Sequence, residues 1–233
     1  MGDSTLKEDC QKKGCLYIVS TPIGNYRDIT LRALDILAEV DAVISEEYRQ
    51  GSTLLKKLGI VEKELILLNE HNEKESSPMI AEELIQGKRY ALISDCGTPA
   101  FADPGTELIR LSMENGIPVV PIPGSSSLIA AISLSPLPLE EFYFVGFLPR
   151  KKEVRYKKLS TLMKLRIPII LMDAPYRLSR LLSEVIDAFG SACMITLAFD
   201  LTLPGENVLH DTAEHILQKM KDKKGEFILI VHP

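Results

Sequence analysis

The chain has 233 residues, 45% of them hydrophobic and 25% charged, with a formal net charge of −5. This composition suggests neither a disordered chain nor a fibrous repeat, and the net charge disfavours indiscriminate nucleic-acid binding. No apolar run reaches the roughly 18 residues of a membrane helix, and the opening "MGDSTLKEDCQKKG" is too polar for a secretory signal, so a cytoplasmic protein with no membrane partner is expected.

Residues 1–14 read as a flexible tail. Gly2 invites lipidation, but Leu6 stands where that motif wants Ser or Thr. From Cys15 onward short apolar runs alternate with segments of 3.6-residue periodicity. The runs are "CLYIVS", "DAVIS", "ELILL", "RYALIS" and "PVVPI", apolar nearly throughout as strands buried on both faces should be. Between them lie the predicted helices "TLRALDILAEV", "STLLKKLG", "SPMIAEELIQG" and "TELIRLSMENG", with Ser77 as an N-cap and Pro78 in the first turn of the third. Four such alternations predict right-handed crossovers and a mostly parallel sheet.

After "PIPGSSS" and the helix "SLIAAISLS" a second series begins. It runs through the strand "FYFVGF", a helix around Tyr156 to Lys164, the strand "IPIILM" and the helix "YRLSRLLSEVIDAFG". The strands "CMITLAF" and "NVLH" follow, then a helix opening at Asp211 with Glu214 three residues on, and the strand "EFILIV". Two α/β domains are therefore expected, 15–121 and 122–233, divided where Pro121 to Gly124 crowd two prolines and a glycine together. Residues 1–121 carry 13 basic and 20 acidic residues, net −7, and residues 122–233 carry 14 and 12, net +2. The second half is the one expected to face an anion.

Ligands bind open α/β sheets beyond the carboxyl ends of the strands. Here those ends lead into "TPIGN", "EEYR", "NEHNE", "DCGTPAFADPG", "PGSSS", "DAPYR" and "DLTLPGEN". Seven polar, Gly-rich or Pro-rich loops predict a cleft along one rim, with Gly97 letting a ligand approach the backbone and Pro99 and Pro104 fixing its path. There is no G-x-G and no G-K-[ST], so neither a dinucleotide nor an ATP site is indicated. Glu70, His71 and Glu73 in "NEHNE" read as a hydrated polar loop rather than a metal site, and Cys10, Cys15, Cys96 and Cys193 show no zinc or disulfide spacing. "RKKEVRYKK", from Arg150 to Lys158, reads as a solvated helix start or a phosphate contact. Arg49 and Arg177, each just after a strand, are candidates to meet a substrate or to pair with Glu46, Glu47 or Asp173.

Taken in order, "TPIGNYRDITLRAL", "SEEYR", "NEHNE", "SDCGTPAFADPG", "PIPGSSS", "GFLPRKK" and "APYR" resemble the tetrapyrrole-methylase superfamily of S-adenosylmethionine-dependent methyltransferases. The likeness is greatest to its 16S rRNA cytidine 2′-O-methyltransferase branch and covers residues 15 to about 233. It implies two α/β domains with mostly parallel or mixed sheets, a homodimer, and the methyl donor in the interdomain cleft; no metal is expected from the Cys and His spacing. Carried over residue by residue, it gives Pro22, Ile23, Asp95, Cys96, Gly97, Ala100, Ser126, Ser127, Met172 and Leu201 as donor contacts.

The substrate side departs from that branch. Glu46-Glu47-Tyr48-Arg49 replaces Glu-Asp-Thr-Arg, Cys96 replaces Ala, Ser125 replaces Pro, Tyr176 replaces His and Leu203 replaces Lys. The sequence also ends at its last strand, without the extension many ribosomal members carry. A ribose hydroxyl needs a base to draw off its proton, and Glu46 and Glu47 are the candidates, with Arg49 orienting a phosphate or carboxylate. The competing expectations are methylation of a corrin or porphyrin ring carbon or another small molecule, and a catalytically silent binding module of the same fold.

Overall fold

The structure is a computed structural model that describes residues 14–101 and 103–233. Residues 1–13 of the expected tail lie outside the described residues. Gly14 is already fixed: it sits at φ +74°, where a Cβ would collide with the carbonyls of Leu84 and Lys88. The chain divides into two compact units between Ser126 and Ser127.

Among its described residues the first unit holds five strands, β1 (Cys15–Val19), β2 (Ala42–Ser45), β3 (Glu64–Leu67), β4 (Arg89–Ile93) and β5 (Val119–Ile122). All pair in parallel, in the order β3-β2-β4-β1-β5. Four helices connect them: α1 (Leu31–Glu39), α2 (Tyr48–Lys57), α3 (Glu73–Ile85) and α4 (Thr106–Glu114). Along β1, Leu16 and Ile18 face one core with Ile80, Leu84 and Leu108, while Tyr17 and Val19 face another with Ala33, Leu37, Leu54 and Leu55. The sheet is thus buried on both sides, α1 and α2 on one and α3 and α4 on the other, which is why its strands lack a polar alternation.

Two helix starts differ from the expectation. The third begins at Glu73, so Ser77 is a buried mid-helix residue rather than a cap. The chain turns earlier, because the Asn69 side chain accepts from the amides of His71 and Asn72 while Asn72 accepts from that of Asn69. Pro78 is tolerated inside because it and Lys74, whose carbonyl it leaves without a helical donor, both face solvent. The second begins at Tyr48, four residues before "STLLKKLG", and Gly51 seats that polar first turn against Ser45, whose Oγ would lie 2.6 Å from an added Cβ. Tyr48 and Arg49 therefore stand on a helix, not in a loop.

The second unit opens with α5 (Ser127–Ser133) and holds β6 (Tyr143–Phe147), β7 (Ile169–Met172), β8 (Met194–Phe199), β9 (Asn207–Thr212) and β10 (Phe227–His232), with α6 (Lys152–Met163), α7 (Leu178–Phe189) and α8 (Ala213–Lys219). The sheet order is β6-β7-β10-β8-β9, with β6 and β7 parallel and every other pair antiparallel. The three later helices cover one face through Leu159, Leu162, Leu181, Val185 and Ile216. The last helix is capped by Thr212, whose side chain accepts from the amide of His215. Asp211, expected to open it, is still in β9 and pairs instead with Lys219 and His215.

Candidate functional site

In the first sheet the crossover from β1 leads toward β2 and that from β4 leads the other way to β5, so the loops after these adjacent strands separate. Thr21 spans the gap. Its side chain is buried, and its hydroxyl donates to the Ser94 carbonyl at 3.0 Å and accepts from the Gly97 amide at 3.1 Å. The Thr21 amide in turn donates to the Gly97 carbonyl at 2.8 Å. Three hydrogen bonds to one residue dictate the path of the Ser94–Gly97 loop from across the sheet.

Most of the expected first-unit residues collect around this clamp. Pro22 and Ile23 are buried beside it, and the Cys96 thiol reaches the Ile23 carbonyl at 3.5 Å. Gly97 stands at φ +91°, with Ile23 Cγ2 3.3 Å and the Ser125 carbonyl 3.8 Å from where a Cβ would be. Ala100 holds a left-handed φ of +58° without being glycine, a conformation that costs energy and persists where surroundings impose it. Thr98 ties the loop to the end of the unit through the Ser125 carbonyl at 3.3 Å, next to Ser126.

The rim is acidic. Asp95 accepts from the Glu47 amide, yet burial and the Glu47 charge raise its pKa above the usual carboxylate value. Glu46, half-buried, is raised as well, first by burial and then by the charges of Asp103, Asp95, Glu70 and Glu47. Arg49 is exposed on the first turn of α2 and forms no ion pair among the described residues. Glu73 is occupied elsewhere: its Oε1 accepts from the amides of Gly105 and Glu107 and caps α4. Among the described residues no group of three His, Cys, Asp or Glu is arranged to hold a metal ion.

Ser127, Met172 and Leu201 belong to the second unit. Ser127 begins α5, Met172 ends β7, and Leu201 is buried just after β8. Because β7 and β8 both run antiparallel to β10, with Met172 opposite Ile228 and Phe199 opposite Phe227, both loops leave from one edge of the sheet. Beneath that edge lies an ion cluster whose centre, Arg155, sequence reading missed. Arg155, 1% exposed, bonds Asp173 at 2.5 Å and also Glu184; Asp173 holds Arg177 at 3.4 Å and Glu184 holds Arg180 at 3.0 Å. Burial pulls the Arg155 pKa down, and the bonds to Glu184 and Asp173 more than offset that. Arg155 therefore does not decorate a solvated helix start. The available signal was its spacing, since 155, 159 and 162 form the buried stripe of α6. Arg177 takes the ion-pair reading through Asp173.

Comparison with known proteins agrees with the fold. The family model described as Tetrapyrrole (Corrin/Porphyrin) Methylases matches residues 15–217. The chain is 38% identical over 221 residues to the ribosomal RNA small subunit methyltransferase I of Halalkalibacterium halodurans, covering 94% of this chain and 76% of that one. The protein of that name from Leptospira biflexa is 36% identical over 223 residues, covering 95% and 92%. Among solved structures, the uroporphyrin-III C-methyltransferase of Thermus thermophilus complexed with S-adenosylhomocysteine superposes with a TM-score of 0.66 at 18% identity, covering 94% of this chain and 97% of that one.

Proposed function

The chain belongs to the tetrapyrrole methylase family of S-adenosylmethionine-dependent methyltransferases, and we propose that its acceptor is a cytidine ribose 2′-hydroxyl of small-subunit ribosomal RNA. The relatives at 36–38% identity that carry a ribosomal RNA name over most of the chain support this acceptor. The observation that carries the site is the Thr21 clamp, which fixes the Ser94–Gly97 loop at the point where the first sheet's crossovers diverge.

The residues there fit the donor. Gly97 leaves unfilled the volume a side chain would take between Ile23 and Ser125, and the carboxylates of Asp95 and Glu46 present negative charge to a cationic sulfonium and ammonium. The sequence resemblance assigns Pro22, Ile23, Asp95, Cys96, Gly97, Ala100, Ser126, Ser127, Met172 and Leu201 to the donor. When bound, the donor supplies an electrophilic methyl group for in-line displacement.

The chain's own part is orientation and proton removal. Glu46 takes the hydroxyl proton: its raised pKa makes it a stronger base than an ordinary carboxylate while leaving it ionised at higher pH. Glu47 fixes Asp95 through its amide and adds charge beside Glu46. Arg49, with no ion pair of its own among the described residues, orients an acceptor phosphate. Because the acceptor is ribosomal RNA, a cytoplasmic location belongs to this reading, and the homodimer implied by the sequence resemblance goes with it. No described helix is long and apolar enough to cross a membrane.

The test is methyl transfer from labelled donor to small ribosomal subunits and to deproteinised 16S rRNA, with mapping of ribose methylation. Label on a cytidine 2′-oxygen is expected. Donor binding without RNA labelling, together with labelling of a porphyrinogen or corrin, would move the acceptor to a ring carbon.

A further inference from the structure

The second sheet brings two exposed aromatic rings and a run of cations to one edge. The parallel strands β6 and β7 pair Phe147 with Met172, so the loops that follow them leave the sheet side by side. One continues into Arg150, Lys151 and Lys152, all exposed, the other into Asp173 to Arg177. Phe147 is 56% exposed and Tyr176 is 65% exposed. Both rings stand in water at the edge that carries these three cations, none of which forms an ion pair among the described residues, although Lys152 also reaches the Tyr156 ring at 5.8 Å.

Tyr176 is backed on one side by Arg177. The Arg177 guanidinium lies 5.3 Å from the Tyr176 ring centroid, and it is held from behind by Asp173 at 3.4 Å. Asp173 is buried and fixed by Arg155 at 2.5 Å and by the Ala174 amide at 2.9 Å. Arg155 comes from α6, the element that follows Lys151, so the buried ion pair fastens the two loops of this edge to each other. A ring backed by a fixed cation loses little freedom when a flat partner stacks on its open side.

We propose that this edge is a binding site for single-stranded RNA, in which a nucleobase stacks on Tyr176 and the exposed run Arg150, Lys151 and Lys152 meets backbone phosphates. The inference rests on the ribosomal RNA reading and adds to it where the acceptor strand is gripped outside the methyl-transfer residues. Charge complementarity singles out this occupant. Cations interleaved with exposed rings match a polyanion with flat unstacked bases, whereas duplex RNA keeps its bases stacked away from such rings.

The experiment uses the full chain and a short single-stranded RNA of mixed sequence, with affinity followed across a salt series and donor affinity measured in parallel. Tyr176→Ala is expected to weaken RNA binding by roughly 5- to 150-fold, the range found for lost base stacking. Tyr176→Trp should keep it. Replacing Arg150, Lys151 and Lys152 together by Gln should reduce the slope of log affinity against log salt by about 2, from three contacts at about 0.7 each. All three variants should bind the donor as the native chain does, because the altered side chains are exposed. Unchanged RNA affinity and salt slope in the variants, while the native chain methylates ribosomal RNA, would overturn the inference. Failure of the native chain itself to methylate any ribosomal RNA would instead strike the reading it rests on.

Discussion

Thr21→Val replaces a hydroxyl by a methyl group of nearly equal size, so no cavity opens and the hydrogen bonds alone are tested. The Gly97 amide loses the acceptor it has at 3.1 Å, and the Ser94 carbonyl loses a donor at 3.0 Å. Leaving a buried polar group unsatisfied costs about 1–3 kcal/mol. Thr21 is 1% exposed and Ser94 3%, so water has little access to either side of the broken pair. A loss of about 2 kcal/mol in the stability of the first unit follows, with the Thr21 amide still holding the Gly97 carbonyl at 2.8 Å. The loop that carries Asp95, Cys96 and Gly97 is then free to shift, and donor affinity should fall about tenfold, the equivalent of 1.4 kcal/mol. Urea unfolding followed by far-ultraviolet circular dichroism measures the first quantity, since the chain has no tryptophan to report by fluorescence. Calorimetric titration with S-adenosylmethionine measures the second. Thr21→Ser, which keeps the hydroxyl, should retain most of the affinity while losing some packing. A Val variant with native stability and native donor affinity would refute the role given to the clamp.

Glu46 gives a pH prediction. Its folded pKa lies above the ordinary 4.5, so its carboxylate is available as a base only above that raised value and activity is lost as pH falls through it. The same shift means that its contribution to stability is full below 4.5 and is lost as pH rises through the folded pKa. Asp103→Asn removes the neighbouring charge that acts most on Glu46, so the acid limb of the rate profile should move to lower pH; Glu46→Gln should cost about 10²- to 10⁴-fold in turnover and remove the limb. Gly97→Ala forces a side chain into a φ of +91° and toward Ile23, costing about 1–2 kcal/mol of stability with a matching loss of donor affinity in the same titration. Arg155→Met strands two buried carboxylates, which typically costs about 3–5 kcal/mol. The lower end is expected here because Asp173 keeps the Ala174 amide and Arg177 while Glu184 keeps Arg180. Adding Asp173→Asn and Glu184→Gln should recover at least half of that loss in urea unfolding.

The strands were legible because each is a short apolar run closed by Gly, Pro or a polar turn, and burial on both faces of the first sheet leaves no polar residue to interrupt them. Helix starts were less legible where their first turns are polar. Neither Tyr48–Gly51 nor Glu73–Ser76 carries an apolar period, and what fixes them is the fit of Gly51 on Ser45 and the paired Asn69 and Asn72 turns. Glu73 looked like part of a polar loop motif, and its partners proved to be the amides at the start of α4, more than thirty residues further on.

The methyl-donor chemistry came as what the resemblance of the ordered motifs implies, while local sequence by itself determined the alternation of strands and helices and the identity of the loops at the strand ends. Those are properties of residues close along the chain, where backbone preference and apolar periodicity act. Only the tertiary structure decided that Thr21 fastens the Gly97 loop, that burial and then four other carboxylates raise Glu46, and that Arg155 is buried while its neighbours Lys151 and Lys152 stay in water. Each of these depends on groups brought together from distant parts of the chain, and hydrogen bonding, Coulomb interaction and desolvation act through space, not along the sequence.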